Sequence, residues 1–99
     1  MGAEIFEHMA SGKDANEAFA NAVEEALYDY GHAGYTGTIA EKDSFVEVGN
    51  AENLPSAHDL ANILMNNNDY RIDDKWGPAG CIKVTDPADT YLFFGWASS

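Results

Sequence analysis

The stretch Cys81-Ile82-Lys83-Val84-Thr85-Asp86-Pro87-Ala88-Asp89-Thr90-Tyr91-Leu92-Phe93-Phe94-Gly95-Trp96 decides how the chain is read. Cys81 to Thr85 and Tyr91 to Trp96 are strand-length runs rich in β-branched and aromatic residues. Asp86-Pro87-Ala88-Asp89 between them is made of turn formers, so the spacing predicts a closing hairpin. Side chains along a strand point alternately to opposite faces. Leu92, Phe94 and Trp96 therefore share one face, and Tyr91 and Phe93 the other.

Working outward from this hairpin, the strongest periodic segment is Asp14 to Tyr30. Ala15, Phe19, Ala22, Val23, Ala26, Leu27 and Tyr30 recur at the helical period, while Glu17, Asn21, Glu24, Glu25 and Asp29 face away. Asp14 with Glu17 three residues on makes a capping-box-like start, and Gly31 suits a left-handed C-cap. Before it, Glu4 to Met9 is a short apolar-rich run stopped by Ser11-Gly12, which predicts a first strand. After it, Thr36 to Glu41 and Phe45 to Val48 flank a Lys42-Asp43-Ser44 turn and read as a second hairpin. Pro55 and a capping Ser56, with Asp59 three residues later, announce a second helix with Ala57, Leu60, Ala61, Leu64 and Met65 inward. Asn66-Asn67-Asn68 ends that helix, and Asp69 to Gly80 reads as an irregular loop.

The order β-α-β-β-α-β-β implies a single α+β domain over residues 1–99. Its expected form is a two-layer sandwich, with both helices on one face of a mainly antiparallel sheet. Ninety-nine residues with 45% hydrophobic content suffice for one packed core. No apolar run approaches the roughly 20 residues needed to cross a bilayer, and the N-terminus lacks the pattern of a secretory signal. Phe6 stands where a myristoylation motif after Met1-Gly2 would need Ser or Thr. The single cysteine, Cys81, excludes an intrachain disulfide and cysteine-rich zinc motifs. A cytoplasmic location follows as the expectation.

Seventeen acids against five bases give a net charge of −12. Such a chain repels phosphate backbones and anionic bilayers, which argues against direct nucleic-acid binding and membrane association. A basic protein partner fits the charge; solubility alone, or a salt-adapted host, fits it as well. Carboxylates at intervals can also imitate nucleic-acid phosphates and occupy a basic groove. Glu17, Glu24, Glu25 and Asp29 form a helical stripe, and Asp73 and Asp74 head the other candidates, with Asp43, Glu47, Glu52, Asp59 and Asp69. The plain alternative is a solvated face.

Two further constellations invite a functional reading. Tyr35, Thr36, Gly37, Thr38 and Lys42 offer hydroxyls, an ammonium group and an aromatic ring to a nucleotide-like ligand. No phosphate-loop or dinucleotide motif is present, however, and the loop follows the negative end of a helix. His8, His32 and His58 with nearby carboxylates are the candidate metal ligands, and His32 with nearby acids the candidate site of a metal-dependent hydrolase, yet no pair of them has the spacing of a metal-binding helix. Cys81 begins a strand and reads as a small core residue, and no serine sits in a nucleophile elbow. No catalytic residue, cofactor or metal is assigned, and homo-oligomerisation stays open.

At Tyr30 to Lys42 and Tyr91-Leu92-Phe93-Phe94-Gly95-Trp96-Ala97 the chain resembles small acidic proteins encoded by bacteriophages and other mobile elements. The similarity runs from Asp14 through Trp96. The resemblance implies an accessory protein acting inside a bacterium, interfering with host defence by occupying a basic surface or capturing a small signal molecule. It carries no catalytic motif, so no residue role transfers.

Overall fold

The computed structural model describes residues 3–30, 38–73 and 76–98. The α+β class is as expected, and the described strands and helices follow one another in the expected order, with a 3-10 turn at Ile39–Glu41 within the span expected as a further strand. The elements are β1 (Ala3–Ser11), α1 (Ala15–Tyr30), a 3-10 turn η1 (Ile39–Glu41), β2 (Phe45–Ala51), α2 (Leu54–Asn66), β3 (Ala79–Val84) and β4 (Thr90–Ser98).

The four strands form one sheet in the order β1-β4-β3-β2. The closing hairpin pairs β3 with β4 antiparallel, and β1 runs antiparallel along the other side of β4. β2 instead lies parallel to β3. It therefore reaches its neighbour through α2, because adjacent parallel strands need a crossover. The expected second hairpin takes a different form here: Ile39–Glu41 make a helical turn, with Thr38 as its N-cap accepting from the Ala40 N–H at 3.2 Å. Residues 36–37 of that expected strand lie outside the described residues, as does the expected C-cap at Gly31.

The layering also differs from expectation. Tyr91, Phe93 and Ala97 pack with Phe6, Ala10, Ala79 and Cys81 against Ala15, Ala18, Ala22 and Ala26 of α1. Leu92 and Phe94 pack with Ile82 and Val84 against Ala57, Ala61 and Met65 of α2. The helices thus cover opposite faces, one each, in three layers rather than two. The physical reason lies in β4 itself. Both its faces are apolar, Tyr91 to Gly95 are all buried, and each face requires its own cover.

Local packing explains the helix positions. Among the described side chains the buried stripe of α1 is alanine throughout, which seats the helix close to the sheet. Phe19 fills the space beside that stripe, with its ring 5.1 Å from Phe45 and 5.5 Å from Phe93. On the opposite face a Cβ at Gly80 would stand 2.6 Å from the Phe94 ring, so only glycine admits that ring. At the start of α1 the Asp14 carboxylate accepts from the Glu17 N–H at 2.8 Å. Glu17 reaches back to the Lys13 N–H at 3.0 Å, a capping box displaced by one residue. α2 begins earlier than expected. Asn53 is its N-cap, accepting from the Ser56 N–H at 2.9 Å, and Pro55 sits in the first turn, where no N–H is needed. Asn67 is the C-cap and Asn68 takes a left-handed φ of 52°, as the asparagine run leads one to expect.

Candidate functional site

Among the described residues β1 is an edge strand, with β4 on one side only. In an antiparallel pair, alternate residues direct both backbone polar groups to the partner strand and the rest direct both away. The Gly12 N–H donates to the Asp89 carbonyl at 3.0 Å, immediately beyond the paired Ser11 and Thr90. This fixes the parity. Phe6, His8 and Ala10 bond to β4, and Ile5, Glu7, Met9 and Ser11 turn their backbone groups to the open edge. The Ser11 carbonyl is capped there by Asn21 Nδ2 of α1 at 2.8 Å, which agrees with that parity. Among the described residues the outward groups of Ile5, Glu7 and Met9 have no partner.

Along this edge α1 and β1 enclose an open groove of about 820 Å³. Residues 8–11 of β1 form one wall, and Asn21, Glu24, Glu25 and Tyr28 of α1 form the other. Glu24 and Glu25 are exposed, and Tyr28 is 91% exposed. On the other face of the same strand the side chains of Ile5 and Met9 are about half exposed.

Two imidazole–carboxylate contacts orient the strand. His8 Nε2 meets Glu25 Oε1 of α1 at 3.0 Å on one face, and Glu7 Oε1 of β1 meets His58 Nδ1 of α2 on the other. Both pairs are partly solvated, so they orient the strand more than they stabilise it. His8 and His58 thereby belong to opposite faces, and His32 lies outside the described residues. Among the described residues no three metal-ligating side chains converge.

Of the residues read as ligand-binding, Tyr35, Thr36 and Gly37 lie outside the described residues. Thr38 caps η1. Lys42 is buried, and its Nζ donates to the Gly77 carbonyl at 3.0 Å and lies 6.0 Å from the centre of the Phe6 ring. Both side chains thus have structural partners. Of the acids read as an interaction surface, the groove brings together Glu24 and Glu25. Glu17 is committed to the helix start and Asp73 is exposed elsewhere. Asp74 and the side chain of Asp29 lie outside the described residues. Sequence reasoning did not single out Met9, Asn21 or Tyr28 as a site, because the groove exists only once β1 is known to be an edge.

Two further titratable groups, Cys81 and Tyr91, are held in their protonated forms. Burial, with a smaller contribution from Glu47, pushes the Cys81 thiol up to about 12, and burial likewise raises the Tyr91 phenol. Among the described residues no helix is long and apolar enough to cross a membrane. No protein-family model, curated protein or solved structure matches the chain.

Proposed function

We propose that this chain is a non-enzymatic binding protein that engages a basic surface of another protein, through the groove between β1 and α1. One observation carries the reading. The groove joins two exposed carboxylates, Glu24 and Glu25, to an exposed aromatic ring, Tyr28, beside a strand edge whose outward backbone groups have no partner among the described residues. Carboxylates steer a basic partner, and a tyrosine supplies contact area at low entropic cost. The net charge of −12 extends the same attraction over the rest of the molecule. The resemblance to phage-borne proteins adds the context of a host-defence inhibitor inside a bacterial cell.

The test is capture from bacterial lysate by the intact chain and by the Glu24→Gln/Glu25→Gln double variant, at low and raised ionic strength. The reading predicts basic partners that cross-link to α1. Their capture should weaken in the double variant and fall between about 0.05 and 0.5 M salt. Capture that is indifferent to both changes, or no capture at low salt, contradicts it.

A further inference from the structure

The two edges of the sheet are built differently. The β2 edge is irregular, its pairing with β3 shifting register between Glu47 and Gly49. A bulge of this kind twists an edge away from further pairing. β1 has nine residues, no register shift, no proline and no lysine. A regular edge with half-exposed Ile5 and Met9 is what natural proteins usually blunt. Among the described residues Asn21 alone closes it, at the Ser11 end.

Resting on the binding function proposed above, we infer that the groove takes its partner as an added β-strand. The occupant is an extended segment, about five residues long, of alternating basic and apolar side chains in another protein. The alternation follows from the pleat. Residues of an added antiparallel strand opposite Ile5 and Met9 share the face of those side chains and meet apolar surface. Residues opposite His8 and Ala10 point to the α1 face, where Glu24 and Glu25 stand. The backbone groups of Ile5, Glu7 and Met9 supply the ladder. A second copy of this chain is disfavoured as occupant, because pairing two β1 edges would set Glu24 and Glu25 of one copy against those of the other.

The experiment titrates the intact protein with a labelled peptide of alternating lysine and valine. The comparison peptide has the same sequence, N-methylated at every second backbone nitrogen on its bonding edge. The alternating peptide is expected to bind at least about tenfold more tightly than its N-methylated form, since the latter has lost several ladder hydrogen bonds. Met9→Pro removes an outward N–H without touching the bonds to β4, and should weaken binding by a similar factor. The N-methylated peptide keeps the test decisive if that variant does not fold. Equal binding of the two peptides overturns strand addition, as does failure of the alternating peptide to bind. Salt-sensitive capture of basic proteins would in either case leave the broader function standing, and its absence would remove both. A protein that sediments as a dimer, and becomes monomeric on Met9→Pro, overturns the assignment of a foreign strand.

Discussion

Gly80 shows how much one missing side chain can matter. Its Cα lies under Phe94, which is fully buried between β4 and α2, and Ile72 would stand 3.1 Å from an added Cβ. Gly80→Ala must displace one of them, and its expected cost is about 1 to 3 kcal/mol in denaturant unfolding. Cys81 beside it is held as a thiol. With its folded-state value raised to about 12 from 9.0, the thiolate is scarce at neutral pH. A disulfide reagent at about pH 8 is therefore expected to leave Cys81 untouched in the native protein and to react once the chain is unfolded. Asp69 behaves oppositely. Its carboxylate accepts from the Arg71 side chain and from the Arg71 N–H, and these hydrogen bonds lower it to about 2 from 3.8. A carboxylate depressed in the folded state contributes stability above its unfolded value, and that contribution disappears as pH falls through the folded one. Asp69→Asn is thus expected to lower stability at neutral pH and to flatten its decline between about pH 4 and 2, measured by unfolding at each pH.

At the scale of elements, what could be read from the sequence divides along the range of the interactions. α1 was legible because its signals are local: a cap at Asp14 and Glu17, and an apolar stripe at helical spacing. The β3–β4 hairpin was legible for the same reason. The start of α2 was misplaced by a few residues because Ser56, a good cap by type, lies inside the first turn that Asn53 caps. Asn53→Ala should accordingly cost about 1 kcal/mol, with Ser56→Ala costing clearly less in the same unfolding assay. Which face each helix covers was not legible. Both stripes are apolar and both faces of β4 are apolar, and nothing local assigns one to the other. The acidic wall of the groove, Glu24 and Glu25, could be read as an exposed helix face. Its other wall could not, because the edge position of β1 depends on pairing with β4 some ninety residues away in sequence.

For the molecule as a whole, the acidic charge and the open edge act together. A net charge of −12 favours encounter with basic surfaces over pairing of the chain with itself. A regular open edge in a neutral protein would invite self-association; in the proposed reading, repulsion between acidic copies opposes this and leaves the edge to a basic strand. The central claim is that Ile5, Glu7 and Met9 offer unpaired backbone groups for that strand. Amide hydrogen exchange along β1, with and without the alternating lysine–valine peptide, tests it most directly. The amides of Phe6, His8 and Ala10 should be protected in the free protein, and those of Ile5, Glu7 and Met9 should become protected only when peptide is bound. Outward amides already protected in the free protein, or left unprotected by saturating peptide, would contradict it.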